Sequence, residues 1–112
     1  MIYVVNKKRK LEKVKEDFPN ATILDITSTS NMRYAQILSP FYPHMNIPIP
    51  FTEGLTATCV EAVWQGLKVF DGADVDFATF RNDTMRDLKR TVRKYGMPKG
   101  HRKGAYGKEL LG

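Results

Sequence analysis

Apolar positions change period several times along the 112-residue chain. Tyr3, Val4 and Val5 form a short run that predicts a strand. From Lys8 to Phe18, Leu11, Val14 and Phe18 fall on one stripe with lysines elsewhere, which predicts an amphipathic helix stopped by Pro19-Asn20. Ile23, Leu24 and Ile26 within Thr22 to Thr27 predict a second, buried strand. The first 27 residues therefore predict a β-α-β unit. A polar loop, Ser28 to Asn31, precedes a short helix expected over Met32 to Leu38. The strongest helical pattern spans Thr58 to Phe70, where Val60, Val63, Leu67 and Phe70 recur at helical spacing and Gly72 lies just beyond. A second long helix is expected over Thr84 to Tyr95, on Met85, Leu88, Val92 and Tyr95, ended by Gly96 and Pro98.

Between these patterns, Ser39 to Phe51 holds Pro40, Pro43, Pro48 and Pro50. Proline restricts itself and its predecessor, so this stretch is extended and irregular. It also carries Phe41, Tyr42, Ile47, Ile49 and Phe51, and is expected to pack over the core as a pocket wall. A plain structural loop is the competing reading. The segment from Gly107 to Gly112 reads as the start of an element, as if the chain ended early relative to a longer form. The expected architecture is one small α+β domain over residues 1–112: an N-terminal β-α-β unit, the Pro-rich segment and two main helices.

Composition narrows the setting. A chain of 112 residues can bury a core without staples. Its one cysteine, Cys59, excludes an intramolecular disulfide, which favours a reducing compartment. The apolar run at Ile2 to Val5 precedes Lys7, Lys8, Arg9 and Lys10, the reverse of a secretory leader. No apolar stretch approaches the roughly 20 residues that span a bilayer. A cytoplasmic protein without a membrane partner is expected. The net charge of +6 suits polyanionic partners, and equally suits plain solubility.

Candidate chemistry concentrates on the helix at 58–70. Glu61, Trp64, Gln65 and Lys68 sit at i, i+3, i+4 and i+7, so a helix sets them on one face. An indole can stack on a base, while an amide and an ammonium can hold hydroxyls and phosphate oxygens. A carboxylate there could stabilise a cationic sugar or activate water. Glu61 also has a bland reading. Thr58-Cys59-Val60-Glu61 matches a capping box, in which Thr58 caps the helix and Glu61 reaches back to it.

Two blocks, Leu38-Ser39-Pro40-Phe41-Tyr42-Pro43 and Cys59 to Phe70 with Gly54 between them, resemble the NADAR superfamily, particularly a bacterial and phage branch. The resemblance covers residues 38 to 70. It implies a small α+β enzyme linked to NAD and ADP-ribose chemistry, an N-glycosidase-like hydrolase of an ADP-ribosyl or nucleotide-type substrate. Glu61 matches the family's functional Glu, with Gln65 and Lys68 beside it. Ser39, Phe41 and Trp64 would complete the substrate site, with Arg90 or Arg102 on phosphate. The sequence departs from the pattern at Pro40 and at Ala62, where the family commonly has Asn and His, and later family blocks find no match before Gly112.

The C-terminal part is basic. Arg86, Lys89, Arg90 and Arg93 follow helical spacing, and Gly100-His101-Arg102-Lys103-Gly104 reads as a flexible charged loop able to wrap phosphates. The helical stripe offers a route to nucleic acid, though it lacks the interleaved aromatics that stack single strands. Neither Walker-type nor dinucleotide glycine patterns occur, so no cofactor is expected, and His44, His101 and a lone cysteine give no zinc spacing. A non-enzymatic nucleic-acid binder and an accessory protein that inhibits a host factor by contact therefore stand beside the glycosidase.

Overall fold

A computed structural model describes all residues, Met1 to Gly112, as two compact units, Met1–Ser39 and Pro40–Gly112. The class is α+β. No helix is long and apolar enough to cross a membrane.

The first unit holds α1 (Leu11–Asp17) and α2 (Arg33–Gln36). The helix expected from Lys8 is shorter because Lys10 supplies no side-chain cap and Phe18, ahead of Pro19, has already left helical geometry. The two expected strands are absent. Tyr3 to Val5 and Thr22 to Thr27 join no ladder, and Ile2 and Val4 stay exposed. A β-branched run becomes a strand only with a partner, so there is no β-α-β unit. Side-chain bonds organise this unit instead. Gln36 Nε2 donates to Ser28 O (3.2 Å) and Ser30 O (2.7 Å). Lys7 donates to Asp25, which also accepts from Thr27, and these bonds lower the Asp25 pKa to about 2.

The second unit begins with an antiparallel pair, β1 (Ile47–Pro48) and β2 (Thr56–Ala57), made from the Pro-rich stretch and the turn after it. Then come α3 (Val60–Leu67) and, without a loop, β3 (Lys68–Phe70). Lys68 turns extended at ψ 134°, so Phe70 is a strand residue and not the last turn of the expected helix. Next follow α4 (Phe77–Phe80), α5 (Val92–Tyr95) and β4 (Pro98–His101). β4 pairs antiparallel with β3, setting Lys68 opposite His101 and Val69 opposite Gly100. The last residues return beside β4: Leu111 N–H donates to His101 O (2.8 Å) and Lys103 N–H to Glu109 O (2.9 Å).

The core gathers Ile49, Ala57, Cys59, Ala62, Leu67, Phe80, Leu88 and Ala105. Gly66 lets α3 close on α4, since a Cβ there would stand 2.3 Å from the Phe80 ring. The long helix expected over Thr84 to Tyr95 is reduced to α5. Asn82 accounts for the loss: its Oδ1 accepts from Thr84 N–H (3.0 Å) and hydroxyl (2.7 Å), and its Nδ2 donates to Arg86 O (2.9 Å). Such local bonds compete with the helical ladder, and Met85 and Asp87 take positive φ. Arg86, Lys89, Arg90 and Arg93 therefore share no helical stripe.

Candidate functional site

The sequence of α3 divides the helix into faces with different fates. Ala62 and Gly66 are buried. Glu61 and Gln65 lie one turn apart, and Gln65 Nε2 donates to Glu61 Oε1 (2.9 Å). Val60, Val63, Trp64 and Leu67 form the third face, which looks into an open cleft of about 470 Å³. Ile47, Pro48 and Pro50 contribute to the opposite lining, and His101, Arg102, Leu111 and Gly112 complete it. The expectation that the Pro-rich block walls a pocket against α3 is met, but on the Val60–Trp64 face.

Glu61, Gln65 and Phe41 do not line that cleft. Glu61 N–H donates to Pro40 O (2.9 Å), so the Pro-rich block satisfies an orphan donor of the first turn. The capping box does not form. Cys59 is the N-cap and its Sγ accepts from Ala62 N–H (3.4 Å), whereas the Thr58 hydroxyl donates to Asn82 O. Phe41 packs against the core cluster. Ser39 closes the first unit, its N–H donating to Gln36 O (2.9 Å).

Gln65 is buried and structural. Its Oε1 accepts from Arg90 N–H (2.9 Å). Arg90 is only 7% exposed, and its guanidinium is consumed by backbone. Nη1 donates to Gln65 O (3.1 Å) and Lys68 O (2.6 Å), and Nη2 donates to Asp74 O (2.6 Å). Two of these carbonyls end α3, where a cation meets the negative end of the helix dipole. The group also lies 5.0 Å from the ring centres of Phe70 and Tyr95. It pins backbone segments together inside the fold and shares no helical stripe with Arg86, Lys89 and Arg93. Lys68 lends its carbonyl to the same pin, and its Nζ lies 5.4 Å from the Phe70 ring.

Arg102 is likewise engaged. Its Nε and Nη2 hold both oxygens of Asp74 (3.0 and 2.7 Å), and Nη1 donates to Lys108 O (2.6 Å). The Arg102 bond, with the Val75 N–H, lowers the Asp74 pKa from 3.8 to about 2. The segment expected as a flexible charged loop is thus ordered as β4 and its continuation. Arg102 also lines a second hollow of about 380 Å³, with Asp74, Phe77, Tyr106 and Lys108.

Trp64 is the site residue that stays available. It is 56% exposed, and its indole lies against the His101 ring, centroids 3.8 Å apart. The imidazole Nε2 is buried and has no hydrogen-bond partner. Sequence pattern does not place His101 in this site, because the β3–β4 pairing that carries it to Trp64 joins residues far apart in the chain. No cluster of His, Cys, Asp or Glu is arranged to hold a metal.

Residues 6–112 match a family of unknown function, DUF6939, and the chain belongs to that family. No curated protein and no solved structure matches it.

Proposed function

We propose that this DUF6939 member binds the base of a nucleotide-type ligand in the cleft against Trp64, as a binding protein and not as a glycosidase. The observation that carries the reading is the Trp64–His101 pair: an exposed indole on an apolar wall, beside a buried imidazole nitrogen that lacks a partner. A nucleobase has apolar faces and a hydrogen-bonding edge. Its faces suit Trp64, Val63, Leu67 and Pro48, and stacking on an aromatic ring is worth about 1–3 kcal/mol per base.

Phosphates would contribute little in this cleft, since the guanidinium groups of Arg90 and Arg102 are already committed. Glu61 belongs to the neighbouring face, in a bond with Gln65, which favours binding without bond cleavage. The test uses the chain's one tryptophan, whose emission reports on the cleft alone. Titration with adenosine and with ADP-ribose should quench it with similar affinities. Quenching by neither would sink the reading. ADP-ribose binding tenfold or more tighter would restore a phosphate-reading, ADP-ribosyl site.

A further inference from the structure

We infer that the ligand is single-stranded nucleic acid, with one base on Trp64 and a neighbouring base in the second hollow, on Tyr106. This rests on the base-binding reading of the Trp64 cleft and extends it along the surface. The two hollows are adjacent, because Arg102 lines both. Tyr106 is 75% exposed at the second, its ring 5.5 Å from Phe77. Phe51 stands close by: its carbonyl would touch a Cβ placed on Gly104, and Thr52 Oγ1 accepts from Ala105 N–H (2.9 Å). Phe51 is 68% exposed although its φ is +56°. That backbone region costs a bulky L-residue about 1–2 kcal/mol, which glycine or asparagine would lower. An exposed aromatic held at such a cost is a candidate for a role beyond folding. Lys103 sets its ammonium 5.1 Å from the centre of that ring.

The surface therefore carries three exposed aromatic rings, with the Lys103 ammonium, also paired with Glu109 (4.0 Å), beside one of them and the Asp74-bound Arg102 guanidinium between the two hollows. The sequence lacks this arrangement at residues 86–93, and it is the arrangement that grips single strands by stacking bases and following the backbone. Duplex DNA hides its base faces and would gain only the charge term. An acidic peptide would meet the cations but leave the aromatic rings unused.

The experiment compares thymidine monophosphate, an oligothymidylate of about eight nucleotides, a duplex of similar length and polyglutamate, all titrated against the Trp64 emission of the full chain. The oligonucleotide should bind at least about tenfold tighter than the mononucleotide, and tighter than the duplex or polyglutamate. Tyr106→Ala, at an exposed side chain, should bring the oligonucleotide's affinity down to that of the mononucleotide. Lys103→Ala removes the cation beside Phe51 that would meet one backbone phosphate, and should flatten the salt dependence by about 0.7 in log–log slope. Equal affinity of mononucleotide and oligonucleotide would overturn the extended site while leaving the base reading intact. Polyglutamate binding as tightly would overturn it in favour of a general polyanion surface. If no nucleotide of any length quenched Trp64, both readings would fall.

Discussion

Replacing Arg90 by methionine separates a structural pin from a surface cation. The substitution keeps an unbranched, apolar stem of similar reach and removes every donor. Three backbone carbonyls, of Gln65, Lys68 and Asp74, would lose bonds of 3.1, 2.6 and 2.6 Å. A buried acceptor left without a partner costs about 1–3 kcal/mol. Three of them would cost about 3–9 kcal/mol if none found water or a new donor. The carbonyls of Lys68 and Asp74 belong to partly exposed residues, so water recovers part of that loss. Removing a buried charge whose Nε has no partner returns some more. A net destabilisation of about 2–4 kcal/mol follows, a large share of the roughly 5–15 kcal/mol typical of a small protein. Urea unfolding of wild type and Arg90→Met should show a lower midpoint with an unchanged slope. Lys89→Met is the control: Lys89 is exposed, so its change should stay within about 0.5 kcal/mol. An Arg90→Met loss no larger than that of Lys89→Met would refute the pin and return Arg90 to the surface.

Glu61→Gln exchanges a carboxylate for an amide beside Gln65 and should cost under about 1 kcal/mol in urea unfolding, with adenosine quenching of Trp64 unchanged; loss of quenching would bring Glu61 back into the site. Asn82→Ala removes the side chain that holds Thr84 and Arg86 in a turn, and should cost about 1–2 kcal/mol while raising helix content around α5; unchanged helix content by circular dichroism would contradict the competition. The Asp74 carboxyl is held well below 3.8, to about 2, chiefly by Arg102. A depressed carboxylate stabilises the fold above its unfolded pKa and loses that effect as pH falls through its folded one. The gap between wild type and Asp74→Asn should thus be full at about pH 5 and fade between about pH 4 and pH 2. Because the Asp74 side chain is more than half exposed, solvent screening should keep that gap below about 1 kcal/mol, and a constant gap across this range would refute it.

The α+β class, α3 and the pocket-forming role of the Pro-rich block were legible in the sequence because each rests on local pattern. Val60, Val63 and Leu67 fix a helix within one window, and prolines at 40, 43, 48 and 50 forbid another. What failed depended on partners. Tyr3 to Val5 and Thr22 to Thr27 have strand composition, but nothing pairs with them. Thr84 to Tyr95 has helical spacing, yet Asn82 bonds the chain into a turn before a ladder can start. The four-residue face read at Glu61, Trp64, Gln65 and Lys68 is split by the packing. Gln65 is drawn inward by Arg90 from 25 positions away, while Trp64 is left in the open cleft. His101 reaches Trp64 only through the β3–β4 ladder, which no local signal announces. The NADAR resemblance singles out α3 and the Pro-rich block; on that helix Trp64 lines the cleft and Glu61 does not.

The most direct test is a nitrogen-edited NMR titration with adenosine. One tryptophan gives one indole N–H resonance, so the signal belongs to Trp64 without further assignment. The indole resonance and the His101 ring nitrogens should shift together and saturate at one affinity, while the Gln65 side-chain amide, bonded to Glu61, stays in place. Saturable shifts at the Gln65 amide with the Trp64 indole unmoved would contradict a base-binding cleft at Trp64 and put the ligand beside Glu61 instead.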